Sequence, residues 1–160
     1  MSSENYIWKF KPMKINPENG SIILPDGNII GARTTLDDWI ASFPKSRPNH
    51  LQAGITFFGL SFTKQSEQYT LTAQFEQQRL ERLSIFFCPI GEDNSWAAWS
   101  EERELQRRKQ FDRWLDKQLG DAPCAIETSA SGKCRQFTWG NAGAYYHNKD
   151  GSTGIVISYR

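Results

Sequence analysis

The sequence of 160 residues has no apolar run long enough to cross a membrane, and residues 1–14 contain no apolar stretch of signal-peptide length. These two absences predict a soluble, cytoplasmic protein without a membrane partner. The chain also lacks an excess of charge of one sign, because 19 basic and 18 acidic residues leave a net charge of +1. General binding to nucleic acid requires a basic field, so no nucleic-acid partner is predicted.

Cysteine, histidine and glycine-rich motifs are scarce as well. Three cysteines and two histidines occur without a CxxC pair or a Cys/His set at zinc-ligand spacing, so no metal site is predicted. Cys124 and Cys134 flank a predicted loop and could pair, but free thiols are expected in a cytoplasmic protein. The segment 140–143 does not match the dinucleotide fingerprint GxGxxG, and no GKS or GKT motif occurs. No cofactor is therefore predicted.

Few combinations of residues in the sequence could form a catalytic site. His147 and Asp150 could form a general base with its carboxylate, and Cys88 with His147 could form a nucleophile and its base. His147 is better explained as a polar residue that enters a hairpin turn, and Cys88 lies in an apolar strand, where thiols pack as small hydrophobes. Three carboxylates between residues 101 and 104 could bind a metal, but the dipole of a predicted helix already favours them there. We predict that the chain is not an enzyme and has no catalytic residue.

Aromatic residues make up 13% of the chain and crowd the segment from Gln68 to Pro89. Both ends of this segment alternate apolar and polar side chains, which is the period of a half-buried strand. A helix over Gln74–Leu83 is the alternative, because good helix formers occur there with apolar residues near helical spacing. The β-branched and aromatic residues at both ends favour strands. We therefore predict two long antiparallel strands in the middle of a sheet.

Turn residues and capping residues divide the rest of the first half. A short helix is predicted from Leu36 to Ser42, because Thr35 and Asp38 match a capping box. A bulge or close approach is predicted at Gly59. The remaining predictions, in chain order, are a strand over Tyr6–Phe10, a hairpin turn at Pro25–Gly27, a loop over Lys45–Asn49, and one strand or two short ones over Gln52–Thr63.

The sequence of the second half predicts a long helix over Ser95–Leu119 that ends at Gly120, with Ser100 as an alternative N-cap. Its charged residues pair at helical spacing, Glu104 with Arg107 and Arg108, Lys109 with Asp112, and Arg113 with Asp116. Asp121–Lys133 is rich in small residues and predicts a mobile connection. The segment 137–159 predicts a terminal hairpin. Together these elements predict a single α+β domain over residues 1–160, an antiparallel sheet of hairpins with one short and one long helix packed on one face.

The segment from Ile90 to Trp99 is the hardest to explain by folding alone. Two tryptophans follow two acidic residues there, and at helical spacing they lie off the arc that docks on the sheet, so at least one should face solvent. Tryptophan is enriched at interface hot spots, and acidic rims complement basic partners. The alternative is that both pack on the sheet edge or on the N-terminal strand. The predicted partner-binding residues are a main set, Glu92, Asp93, Trp96 and Trp99, and a weaker acidic pair, Asp37 and Asp38.

The second half of the chain also resembles a known group of proteins. The residues that carry the resemblance are Trp96-x-x-Trp99-Ser100-Glu101-Glu102-x-Glu104-Leu105, then Trp114-Leu115 with Leu119-Gly120, then Trp139-Gly140, and Tyr146-x-x-Lys149-Asp150-Gly151 with Ile155-Val156-Ile157-x-Tyr159. The pattern is similar to that of small bacterial proteins that are often encoded beside polymorphic or Rhs-type secreted toxins as cognate immunity proteins. The Leu24–Gly27 hairpin and the central strands agree more loosely.

The resemblance implies a protein that binds a cognate toxin and occludes its active site, with charge steering that speeds the encounter. It implies no catalytic residue. The sequence leaves a second interpretation open, a small-molecule-binding or scaffolding module in which the sheet and the long helix enclose an aromatic-lined pocket.

Overall fold

The computed structural model describes residues 13–120, 124–128, 132–147 and 149–160. The first strand predicted over Tyr6–Phe10 lies outside these residues. The described chain forms a three-stranded sheet, an eight-stranded sheet and two α-helices, and all paired strands are antiparallel. The predicted α+β class is confirmed, whereas the single domain over residues 1–160 stays a prediction. In this part of the chain no helix has both the length and the apolar composition needed to cross a membrane.

The three-stranded sheet consists of very short strands that lie in chain order, β1 (Lys14–Ile15), β2 (Ile22–Ile23) and β3 (Ile29–Ile30). The predicted hairpin turn between β2 and β3 is confirmed, since the Gly27 N–H donates to the Leu24 carbonyl over 2.9 Å. This sheet belongs to the main hydrophobic core. Its buried side chains include Ile15, Ile22 and Ile30, and Met13, which precedes β1, is buried as well.

The eight-stranded sheet joins two meanders, one from each half of the chain. Its strands are β4 (Pro48–Gln52), β5 (Ile55–Lys64), β6 (Glu67–Glu76), β7 (Arg79–Pro89), β8 (Cys124–Thr128), β9 (Gly132–Phe137), β10 (Gly140–His147) and β11 (Ser152–Tyr159). In space they follow the order β4-β5-β6-β7-β11-β10-β9-β8. The last strand therefore lies in the middle of the sheet, where Ile155 is opposite Ile85 and Ile157 is opposite Leu83.

The predicted central hairpin is confirmed by β6 and β7, which pair along their whole length. The alternative helix over Gln74–Leu83 is wrong, because the aromatic and β-branched residues on both sides find cross-strand partners. The predicted bulge or close approach at Gly59 is also wrong, since Gly59 pairs with Thr72 in an unbroken register and a Cβ atom there would meet nothing within 4 Å. The predicted loop over Lys45–Asn49 is shorter than expected, because β4 already begins at Pro48.

The short helix α1 (Leu36–Ser42) has the predicted bounds and the predicted cap. The Asp38 N–H donates to Thr35 Oγ1 over 3.0 Å, and the Thr35 N–H donates to Asp38 Oδ2 over 3.0 Å. The helix is anchored by Trp39, which is completely buried. The centre of its ring lies 5.8 Å from that of Phe58 and 6.0 Å from that of Phe75.

The long helix α2 (Glu101–Leu119) begins later than the sequence predicts. Ser100 is its N-cap, and the Ser100 hydroxyl accepts a hydrogen bond from the Arg103 N–H over 3.2 Å. The predicted start at Ser95 is wrong, because Trp96–Ala98 form a separate 3₁₀ turn. A serine cap followed by carboxylates in the first turn favours a start at this point rather than earlier.

Both helices pack on one face of the large sheet, as predicted. Trp39 of α1 contacts Phe75, and the Phe111 ring of α2 lies 4.8 Å from that of Phe87. Phe87 is opposite Tyr69 on β6. Tyr69 shares a face with Phe75 because the two lie six positions apart on the same strand. Between the helices and the sheet lies a core whose members include Leu71, Leu83, Ile85, Leu115 and Ile157, each exposed by 1% or less.

The predicted mobile connection over Asp121–Lys133 is wrong in part, because it contains β8 and the start of β9. These strands pair so that the backbone of Cys134 lies opposite Ile126 rather than Cys124. Cys134 is a free thiol, as expected. The predicted terminal hairpin is confirmed by β10 and β11, with Ile155, Ile157 and Tyr159 buried.

A buried cation ties α2 to the sheet. Arg135 of β9 is completely buried, and its guanidinium donates to Asp116 Oδ1 over 2.8 Å, to Asp112 Oδ1 over 3.3 Å and to the Asp112 carbonyl over 3.0 Å. Helical spacing predicts that Asp112 pairs with Lys109 and that Asp116 pairs with Arg113, both within the helix. The structure instead directs both of them to Arg135 on the neighbouring sheet.

The two carboxylates respond differently to this arrangement. Burial raises the pKa of Asp112, and the nearby Arg135 offsets the effect only in part. Burial acts in the same direction on Asp116, but hydrogen bonds and charge from Arg135 and Lys133 outweigh it and lower the pKa of Asp116.

Candidate protein-interaction site

The loop of residues 90–100, which we call the Trp loop, connects β7 to α2 and is held in place by charged side chains. The Glu92 carboxylate accepts a hydrogen bond from Arg107 over 2.9 Å and lies 3.5 Å from the Arg103 guanidinium. The side-chain oxygen of Asn94 accepts from the same two groups, over 2.8 Å from Arg103 and 3.2 Å from Arg107. Arg103 also donates to a carbonyl of the 3₁₀ turn over 3.1 Å. The loop is thus fastened to the first turns of α2.

Arg107 is the centre of this network. Its guanidinium is nearly buried and forms a 2.9 Å ion pair with Glu104, one turn earlier on the helix. It also lies over the Phe86 ring, 4.9 Å from the ring centre. The sequence-predicted pair of Glu104 with Arg107 is therefore confirmed, and it orients the side chain that holds the loop.

Asp93 stabilises the loop from within. Its carboxylate accepts a hydrogen bond from the Ser95 N–H over 2.9 Å. Hydrogen bonds from Ser95 and the charge of Arg103 hold the pKa of Asp93 below its ordinary value. Asp93 is also exposed, so its carboxylate, which is ionised at neutral pH, faces solvent.

Trp99 packs on the turn between β10 and β11. Its Nε1 donates to the Gly151 carbonyl over 2.9 Å. A Cβ atom on residue 151 would lie 2.7 Å from that nitrogen, and Gly151 has a φ of +71°. Only glycine fits beneath the indole without strain. Trp99 therefore joins the Trp loop to the terminal hairpin.

Trp96 projects into solvent. It is 75% exposed, about twice the exposure of Trp99 at 37%. Its ring centre lies 6.1 Å from that of Trp99. An exposed tryptophan on a well-held loop has the character of an interface anchor, because little conformational freedom is left to lose on binding.

The structure brings together four of the six residues predicted to bind a partner, namely Glu92, Asp93, Trp96 and Trp99. The helical spacing used to predict their exposure is wrong, because both tryptophans precede the helix. The predicted exposure of at least one is nevertheless found at Trp96. The alternative, in which both tryptophans pack on the sheet edge or on the N-terminal strand, does not describe the exposed Trp96, and Trp99 packs on the β10–β11 turn instead. A partner-binding role for the four residues stays a prediction.

The weaker pair, Asp37 and Asp38, lies at a different place. Asp38 belongs to the α1 capping box, where backbone and side-chain hydrogen bonds from Thr35 lower its pKa. The Asp37 N–H donates to the side chain of Gln78, at the turn of the central hairpin. The whole of β7 separates this turn from the Trp loop, roughly 30 Å of strand at the usual rise per residue. The structure does not join the two sets.

Sequence reasoning missed the residues beside the tryptophans. A groove of about 410 Å³ is lined by Trp96, Trp99 and the turn residues Asp150–Thr153, with Phe86, Arg103, Glu104 and Arg107 also in its lining. The Lys149–Gly151 turn signal is visible in the sequence. Its position beside Trp99 is not, because 52 residues separate the two partners of the Trp99 hydrogen bond.

The candidate catalytic groups have other contacts. The His147 ring centre lies 4.6 Å from that of Tyr145, and the Asp150 carboxylate accepts from the Ser152 N–H and hydroxyl over 3.0 and 2.7 Å. Cys88 is buried, and its sulfur accepts hydrogen bonds from Gln68 and Asn94. Within the described ranges, no three His, Cys, Asp or Glu side chains are grouped as metal ligands.

A larger cleft, of about 860 Å³, lies away from the Trp loop. It is open to solvent and lies between β3, α1 and the β9–β10 turn, where Trp139 forms part of its wall. Trp139 is fixed there by a 2.9 Å hydrogen bond from its Nε1 to the Pro17 carbonyl.

No protein-family model and no curated protein matches this chain by sequence. Its fold is similar to that of a chain in the solved structure described as "Rhs1-CT in complex with cognate immunity protein RhsI1". The TM-score is 0.55 and the identity is 16%, and the match covers 93% of this chain and 88% of the other. The resemblance to Rhs-associated proteins expected from the sequence is thereby confirmed at the level of the fold.

Proposed function

We propose that this chain is the cognate immunity protein of an Rhs-type secreted toxin, and that it acts in the cytoplasm by binding the toxin and occluding its active site, without catalysing a reaction. The observation that carries the proposal is the fold match. It spans 93% of this chain, and the matching chain belongs to a solved complex of an Rhs C-terminal domain with its immunity protein.

The Trp loop supports the proposal as the binding surface. It combines an exposed tryptophan with carboxylates and is already held by Arg103, Arg107 and Asn94. A preformed surface of this kind loses little entropy on binding. Clustered carboxylates would also speed the encounter with a basic toxin surface.

The test is co-expression with each neighbouring reading frame from the same genome. One neighbour should arrest growth when expressed alone, and this chain should restore growth and co-purify with that product in a stoichiometric complex. Growth arrest by this chain alone, or arrest that this chain does not relieve, would contradict the proposal.

A second candidate function, small-molecule binding, is favoured by the cleft that Trp139 lines. A metabolite bound there should quench and blue-shift tryptophan emission in the wild-type protein. The response should disappear in Trp139→Phe and persist in Trp96→Phe. A protein that shows no such response to metabolites and does relieve toxicity would exclude this candidate.

A further inference from the structure

The groove beside the Trp loop is lined partly by aromatic side chains and partly by a tight turn. Trp96 and Trp99 provide the aromatic part of the lining, and Asp150–Thr153 provide the turn part. The turn part is well ordered by its own contacts, because the Asp150 carboxylate binds the N–H and the hydroxyl of Ser152. Both parts are therefore in place before any partner arrives.

Negative charge around this groove exceeds positive charge. Residues 92–107 together with 149–150 carry six carboxylates and three cations. Two of the cations, Arg103 and Arg107, already contact Glu92, and Arg107 also pairs with Glu104. The lining of the groove contains both arginines together with Glu104 and Asp150. Glu104 is paired with Arg107, whereas the Asp150 carboxylate accepts its hydrogen bonds from Ser152.

Tyr146 lies close enough to several of these carboxylates for their charge to affect its pKa. Its phenol lies on β10, just before the turn, and burial raises its pKa. The charges of Glu101, Glu104 and Asp150 raise the pKa further. Carboxylates from the helix and from the turn therefore act on one region of the surface.

We propose that the groove receives a lysine or arginine side chain of the toxin domain, with the cation lying against Trp96 and facing the Asp150 carboxylate. This inference rests on the proposed function. A cation is attracted to the face of an indole, most strongly where water is excluded, and nearby carboxylates add to that attraction. Asp150 and the flanking Glu101 thereby join the interface residues.

Affinity for the growth-arresting toxin domain tests this inference. Trp96→Ala should weaken binding about 30-fold, the scale of an interface hot spot. Trp96→Phe should retain more affinity, because it keeps an aromatic face. Asp150→Asn should weaken binding about 5-fold, mainly by slowing association, and should reduce the salt dependence of the association rate.

Matched controls lie on other surfaces. Ile29→Ala removes an exposed apolar side chain, and Glu76→Gln removes a carboxylate at the far end of β6. Both should bind within about 2-fold of wild type, as expected for residues outside the interface. Binding by Trp96→Ala and Asp150→Asn within that same range would overturn the inference.

Cross-linking identifies the residue that enters the groove. A photoreactive p-benzoylphenylalanine in place of Trp96 should cross-link to a toxin segment that contains lysine or arginine. Changing that cation to glutamate should weaken the complex, and Asp150→Lys should restore part of the affinity. A cross-linked segment without a cation, or no restoration, would overturn the inference.

The two proposals fail separately. If no neighbouring product forms a complex, the proposed function fails and this inference fails with it. If the complex forms and protects growth but the groove variants bind like wild type, only the inference fails.

Discussion

The two ends of α2 use the same kind of ionic contact for different purposes. Near the C-terminal end, Arg135 is completely buried, and Asp112 and Asp116 connect it to the helix. Near the N-terminal end, Arg103 and Arg107 hold Glu92 in a loop whose outermost side chain stays in solvent. One network fastens the helix to the sheet, and the other fixes a loop.

This difference predicts that stability and binding are separable in the molecule. Breaking the buried network should lower the free energy of unfolding without changing the binding surface. Changing the exposed end of the other network should leave the fold intact and affect a partner only. The following substitutions test that separation, from the largest expected effect to the smallest.

Arg135→Met should have the largest effect, a loss of about 3 kcal/mol in the free energy of unfolding, because it removes the buried cation that pairs with both Asp112 and Asp116. Denaturant unfolding measures the loss. The control is Lys133→Met, which removes an exposed partner of the same Asp116 and should cost less than about 1 kcal/mol. Equal effects would show that burial of Arg135 does not matter.

Gly151→Ala should cost about 2 kcal/mol, because the new methyl group meets the Trp99 indole and the residue keeps a positive φ. Gly27→Ala is the matched control, since Gly27 also has a positive φ but a Cβ there would meet nothing within 4 Å. It should cost about 1 kcal/mol. If the two variants unfold alike, Trp99 does not rest on the turn as described.

Lowering the pH should change the contributions of Asp112 and Asp116 to stability in opposite directions. The pKa of Asp116 is lowered in the folded protein, so its contribution is complete above the unfolded value of about 4 and is lost as the pH falls below it. The pKa of Asp112 is raised, so protonation at falling pH stabilises the folded form relative to the unfolded one.

Denaturant unfolding at neutral and acid pH reads out this difference. The stability deficit of Asp116→Asn relative to wild type should shrink as the pH falls, whereas that of Asp112→Asn should grow. Deficits that change in the same direction would contradict the assigned pKa directions.

Trp96→Ala should have the smallest effect on stability, within about 0.5 kcal/mol, because the side chain is 75% exposed. Thermal unfolding provides the measurement. A loss of several kcal/mol would mean that Trp96 supports the fold, and the separation between the two ends of α2 would not hold.

Local patterns predicted the elements whose causes are local. Thr35 and Asp38 formed the expected cap of α1, and strand alternation located β6, β7 and β11. The start of α2 was misplaced because Ser95 and Ser100 are both acceptable caps, and only Ser100 caps the observed helix. The small residues of β8 carried too little alternation to predict a strand.

Only the part of the candidate site that is local in sequence could be predicted. The sequence shows that two tryptophans follow two acids, so Trp96 and its neighbours could be singled out. It does not show that Arg107 would hold Glu92, or that Gly151 would lie beneath Trp99, because these contacts require α2 and the terminal hairpin to be packed together first. The same holds for Arg135, whose acidic partners on α2 lie 19 and 23 residues away in the chain.

The most direct test of the account is a calorimetric titration of this chain with the purified toxin domain encoded beside it, using wild type and Trp96→Ala. We expect saturable one-to-one binding for wild type, and weaker binding for a variant that is folded and equally stable. No binding by the wild-type chain to a neighbouring product that arrests growth would contradict the central claim that this is an immunity protein.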